Sequence, residues 1–164
     1  MLINADNFKR IYNKKTTYIK NFTNFDIDYD FNFLIDFLEE YTCRTNQITH
    51  NGSHYTTWQV YADDYHVPFN LIKNYLRITF KYEFDKLDGC EIFYSYSSNS
   101  GPSHVDQEDV FLLGLCGKTI YRVNNNFYTV ERGDLLFVSK GVRHKAISVT
   151  PRIVASFGFF GDRK

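Results

Sequence analysis

Two short segments carry side chains that can bind one metal ion. In Gly101-Pro-Ser-His104-Val-Asp106, an extended chain points residues i and i+2 to the same side, so His104 and Asp106 present an imidazole nitrogen and a carboxylate oxygen to one point. The second segment, Gly133-Asp-Leu-Leu-Phe-Val-Ser-Lys-Gly141-Val-Arg-His144, supplies another nitrogen after a tight turn, a strand and a further turn. Two histidines and one carboxylate on one face of an octahedron leave three positions open, the donor arrangement that non-haem Fe(II) oxygenases use.

Strands must position these ligands, and the composition favours them. The 164 residues include 13 Tyr, 16 Phe and 1 Trp against 9 Gly and 3 Pro, an aromatic excess typical of sheets. At 43% hydrophobic residues the chain can fill one core, which excludes disorder, collagen and coiled coil. Strands are expected at Glu91–Ser97, Asp109–Leu115, Lys118–Val123, Phe127–Val130, Asp134–Val138, Ala146–Val149 and Arg152–Phe159. Turn chemistry separates them at Ser98–Pro102, Asn124–Asn126 and Arg132–Asp134. Short strands at this spacing read as a sandwich or jelly-roll barrel.

Upstream, Phe31, Leu34, Ile35, Leu38 and Tyr41 fall at helical spacing behind Asp30 as N-cap, and a second helix is expected from Pro68 to Leu76. From Arg77 onward the alternation of Ile78, Phe80, Tyr82 and Phe84 reads as a strand, and Tyr55–Tyr61 as another. No repeat or linker interrupts the chain. The expectation is one domain, 1–164, in which residues 1–90 supply N-terminal helices and strands and residues 91–160 form the metal-binding barrel.

The 19 basic residues balance the 19 acidic ones, so no net field exists to hold a polyanion and binding of duplex nucleic acid is not expected. Cys43, Cys90 and Cys116 are odd in number and form no Cys-x-x-Cys pair, which argues against a disulfide framework and for a cytoplasmic protein. Met1 to Arg10 carries charges where a signal peptide needs an apolar run, and no apolar stretch reaches a membrane span. His50 and His54 flank a polar turn, and His66 follows Asp63 and Asp64; all of these read as surface groups. Cys116 reads as a small core residue.

With these residues in place, Gly101 to Phe159 resembles the cupin superfamily, specifically the JmjC-like 2-oxoglutarate/Fe(II) dioxygenases. His104, Asp106 and Gly117 match the first cupin motif; Gly133, Gly141 and His144 match the second, with Ser139 in place of its proline. The run Asp109-Val-Phe-Leu-Leu-Gly-Leu-Cys-Gly-Lys-Thr-Ile-Tyr-Arg122 is similar to a strand of JmjC-like ribosomal oxygenases. The resemblance implies a double-stranded β-helix with N-terminal helices packed on it. It also implies Fe(II) held by His104, Asp106 and His144, and 2-oxoglutarate as cosubstrate.

The family often places a basic residue two positions after the glycine equivalent to Gly117, to hold the distal carboxylate of 2-oxoglutarate. Thr119 stands there, and Lys118 lies one position early on the opposite face, a candidate for the same role if a bulge at Gly117 rotates it inward. Other 2-oxoglutarate oxygenases use an arginine on the strand after the second histidine, which here is Arg152, assisted by Thr119 or a tyrosine hydroxyl. Tyr94 or Tyr96, on the strand before the metal motif, is a further candidate for contact with cosubstrate or substrate.

The resulting expectation is a hydroxylase acting on a C–H bond of a polypeptide or small molecule. Two other readings stay open: a metal cupin with different chemistry, such as a thiol dioxygenase or isomerase, and a non-catalytic ligand-binding cupin. The sequence leaves the substrate and the oligomeric state undetermined. A lid is expected from the N-terminal half or the Ser98–Pro102 loop, and the C-terminal dimerisation helices of some family members are not expected.

Overall fold

The structure, a computed structural model, describes residues 2–3, 15–40, 45–62, 66–96 and 100–164. In chain order its elements are β1 (Leu2–Ile3), β2 (Thr16–Ile19), β3 (Thr23–Asn24), α1 (Phe31–Glu40), β4 (Thr45–His50), β5 (Ser53–Tyr61) and α2 (Val67–Phe80). There follow β6 (Gly89–Ser95), β7 (Asp109–Cys116), β8 (Thr119–Val123), β9 (Asn126–Val130), β10 (Leu135–Val138), β11 (His144–Ser148) and β12 (Arg152–Phe159).

The sequence of β7 is apolar at nearly every position because both faces of the strand are covered. It sits inside an antiparallel seven-stranded sheet of order β2-β10-β7-β12-β6-β5-β4, and a three-stranded sheet, β11-β8-β9, faces it. The helices cover the outer face of the large sheet. Strand parity divides the contents: Ile153, Ala155 and Phe157 of β12 join the helix-side core, whereas Arg152, Val154 and Ser156 face the small sheet. The double-stranded β-helix with packed N-terminal helices is therefore present, and β2, β4 and β5 widen its large sheet.

Asp30 caps α1 as expected, its Oδ1 accepting hydrogen bonds from the backbone N–H groups of Asn32 at 2.9 Å and Phe33 at 3.0 Å. The strand expected over Ile78–Phe84 does not form. Instead α2 continues to Phe80, because Phe69, Ile72, Leu76 and Phe80 make one buried helical stripe. Lys81 then ends the helix in the left-handed conformation at φ 56°. Ile78 and Phe84, which a strand would have buried with Phe80, are 77% and 76% exposed.

The edge strand β4 escaped sequence reading because Thr-Asn-Gln-Ile-Thr-His has no apolar alternation. Its partner makes it: Asn51 and Gly52, both at positive φ, form the tight turn that pairs β4 with β5. His50 and His54 flank that turn and are exposed, as expected. His66 is a correction, since it is half-buried among the rings of Tyr29, Phe33, Phe37 and Phe69 rather than on the surface. The expectations for Tyr41, Cys43, Asp63, Asp64 and Ser97 to Asn99 fall outside the described residues.

Helix and strand make opposite forecasts for two neighbouring side chains. Phe80→Ala should destabilise the fold by about 3–5 kcal/mol, and Ile78→Ala should stay within about 0.5 kcal/mol of the parent in urea unfolding. Comparable losses at both positions would contradict the helical assignment.

Candidate metal centre and anchor pocket

The two motif segments meet as an isolated antiparallel bridge. The backbone N–H of His104 donates to the carbonyl of His144, and the N–H of His144 donates back to the carbonyl of His104, both at 2.9 Å. The Gly141 N–H adds a bond to the carbonyl of Asp106 at 3.0 Å, at a position whose φ of +78° favours glycine. Ser139 stands where the motif has proline, and its N–H donates to the Lys15 carbonyl at 2.9 Å, a bond that proline could not make. Backbone pairing therefore joins the two segments that carry the ligands.

The side chains converge as the spacing predicted. One ligand atom from each of His104, Asp106 and His144 lies within 4.8 Å of the others. Asp106 Oδ1 is 3.4 Å from His104 Nε2, and Oδ2 is 3.3 Å from His144 Nε2. Each histidine spends its other nitrogen on a carbonyl: His104 Nδ1 on Pro102 at 3.1 Å and His144 Nδ1 on Val142 at 3.0 Å. These bonds favour the tautomers that leave both Nε2 lone pairs free for a metal, the outer-shell arrangement typical of histidine ligands. Burial pulls the pKa of His144 down, but its bonds to Asp106 and the Val142 carbonyl outweigh that and the net shift is upward.

The triad opens into a cavity of about 360 Å³ between the two sheets, and Arg152 lies in the same cavity. Arg152 is 2% exposed, yet none of the ion pairs among the described residues includes it. Its partners are neutral hydroxyls: Nε donates to Ser95 Oγ at 3.1 Å, and Nη1 donates to Tyr121 OH at 3.2 Å and Thr119 Oγ1 at 3.5 Å. Burial raises the phenol pKa of Tyr121 against the opposing pull of Arg152, so the hydroxyl keeps its proton and can donate it. Burying an arginine with no carboxylate in ion-pair distance costs several kcal/mol, and the acids that line the same cavity are Glu91, Asp106 and Glu108.

Arg152 and Thr119 thus come together as expected, and Tyr121 supplies the tyrosine hydroxyl that sequence reading left unplaced. Lys118 is a correction: no bulge brings it inward, and it points outward and pairs with Glu131 at 2.7 Å. Gly117, at φ +71° against the Pro151 carbonyl, turns the chain so that Thr119 rather than Lys118 faces inward. Tyr94 is also a correction, because the parity that sends Phe93 and Ser95 inward packs Tyr94 against the helix-side core. Tyr96 is exposed and stacks on Phe31.

No protein-family model matches this chain, and no curated protein matches it by sequence. Solved structures do match. The ribosomal oxygenase YcfD of Escherichia coli aligns with 99% of the chain at a TM-score of 0.73 and 20% identity. The chain has the YcfD fold. YcfD in complex with cobalt and 2-oxoglutarate, and with cobalt and succinic acid, each align with 96% of it at a TM-score of 0.68 and 21% identity. The chain spans about half the length of these YcfD chains, 51% to 53%.

Removing one ligand from a site held by backbone pairing should abolish tight metal binding and spare the fold. Asp106→Ala and His144→Ala should each lose tight Fe(II) or Co(II) binding in equilibrium dialysis while keeping the parent's far-UV circular dichroism. Parent-like metal content in both variants would refute the triad.

Proposed function

We propose that this chain is an Fe(II)- and 2-oxoglutarate-dependent oxygenase that hydroxylates a C–H bond, with His104, Asp106 and His144 as metal ligands and Arg152 as the anchor for the cosubstrate's distal carboxylate. The observation that carries this reading is the buried, acid-free guanidinium of Arg152 in the same cavity as a two-histidine, one-carboxylate triad. The triad fits Fe(II) by donor type and leaves coordination positions open. The guanidinium, flanked by Thr119 and Tyr121, fits a carboxylate. When bound, the metal and cosubstrate supply the oxidation: dioxygen is consumed, 2-oxoglutarate becomes succinate and carbon dioxide, and the substrate C–H becomes C–OH.

The protein's own contribution is placement and exclusion of water. Arg152 neutralises the carboxylate in a buried pocket, where the ionic hydrogen bond is stronger than in water. Leu112 and Tyr121 wall the space between the sheets, while the triad sits where the His104–His144 bridge meets the cavity. The fold shared with a ribosomal oxygenase favours a polypeptide substrate over a small molecule. A reducing cytoplasm suits both the proposed Fe(II) and the free thiol of Cys116.

Calorimetric titration with 2-oxoglutarate tests the anchor. Arg152→Ala should weaken 2-oxoglutarate binding to the metal-loaded protein by roughly 100-fold or more, because a charge pair loses one partner in a buried site, and metal affinity should be unchanged. Unaltered 2-oxoglutarate affinity would remove Arg152 from this role. Lys118→Ala, on the outer face, should behave as the parent does.

A further inference from the structure

The apolar strand β7 carries one charged residue, Asp109, and buries it at its first position. β10 pairs with β7 as far as Val138 opposite Val110, and there the ladder ends. The next residues form a tight turn, closed by the Val142 N–H donating to the Ser139 carbonyl at 3.1 Å, with Gly141 at φ +78°. Such a turn leaves its two central amides without a partner of its own, so the N–H groups of Lys140 and Gly141 must bond elsewhere. Both bond to one segment: Lys140 donates to Asp109 Oδ1 at 2.8 Å, and Gly141 to the Asp106 carbonyl at 3.0 Å.

The carboxylate divides its two oxygens between different tasks. Oδ1 faces the turn. Oδ2 accepts from the Tyr82 hydroxyl at 2.6 Å and lies 3.3 Å from Arg163 Nε. Arg163 follows β12, and its guanidinium stands over the rings of Tyr82 and Phe137, 5.8 and 5.3 Å from their centroids. Groups outside the two metal-ligand segments therefore hold Oδ2, which keeps Oδ1 in place for the turn. The effect reaches the ligands, because Asp109 lies three residues after Asp106 and Lys140 four before His144.

We propose that Asp109 is a positioning residue of the metal centre: its Oδ1 docks the turn of residues 139–142 and so sets the separation of Asp106 from His144. This rests on the reading of His104, Asp106 and His144 as metal ligands. Asp109 itself touches neither metal nor substrate and acts through the turn. Without it the Lys140 amide loses its acceptor and the turn tilts about its remaining bond to Asp106. His144 then shifts relative to the carboxylate with which it shares the ion.

Co(II) titration of the full chain, read by the visible absorption of the bound ion, tests this. Asp109→Ala should weaken Co(II) binding by roughly 10- to 100-fold and alter the absorption bands of the bound ion. Asp109→Asn, whose carbonyl oxygen still accepts the Lys140 N–H, should recover most of that affinity. Tyr82→Phe removes a bond from the other oxygen only and should stay within about threefold of the parent. If Asp109→Ala does not fold, Lys140→Pro deletes the same hydrogen bond from the donor side, at a turn position that suits proline, and carries the same expectation. Parent-like Co(II) affinity and bands in Asp109→Ala or Lys140→Pro, or an equal loss in Tyr82→Phe, overturn the role, since a merely structural Asp109 moves neither readout. Failure of the parent itself to bind Co(II) is a different result: it overturns the metal reading and this role with it.

Discussion

Two backbone hydrogen bonds, exchanged between His104 and His144, are the constraint on which the site depends. They join segments forty positions apart in the chain, whose three ligand atoms lie within 4.8 Å of one another. A site assembled by side chains alone would have to order them at the moment of metal binding and would lose affinity by that entropy. Here the cost is met during folding, by the same sheet pairing that builds the barrel. The histidine ring orientations follow from the same geometry, because the carbonyls that hold the two Nδ1 atoms, Pro102 and Val142, each lie two residues before the ring they hold.

The second organising feature is the charge of Arg152. A guanidinium in the barrel interior is unfavourable unless its hydrogen-bonding capacity is used, and the interior is arranged around it: Ser95 from β6 and Thr119 and Tyr121 from β8. Every one of these is placed by strand parity. Helix-side packing of Ile153, Ala155 and Phe157 fixes the register of β12 and thereby forces Arg152 inward, so the apolar core and the polar pocket are two faces of one decision. A one-residue slip would bury the phenylalanines in the cavity and expel the arginine.

Much of this was legible in the sequence because it rests on short-range rules. The i, i+2 spacing of His104 and Asp106, the glycines before His144 and the apolar strand β7 each signal themselves locally. So does the alternation that puts Thr119, and not Lys118, inside. What escaped reading depends on partners distant in sequence. β4 is a strand only because β5 pairs with it, and α2 runs on to Phe80 because the sheet offers a surface that rewards a fourth buried position. Tyr94 was misplaced because its alternation was clear while its phase was not; the inward set of β6 is fixed by Ser95 meeting Arg152, a contact between residues 57 positions apart.

The central claim is that the His104, Asp106, His144 site and the Arg152 pocket together hold one bidentate 2-oxo acid. Anaerobic titration of the Fe(II)-loaded chain with 2-oxoglutarate, followed in the visible spectrum, tests it most directly. A saturable metal-to-ligand charge-transfer band that disappears in Asp106→Ala is the predicted result. Iron bound to the parent without any such band at saturating 2-oxoglutarate would contradict the account and assign the metal centre to other chemistry.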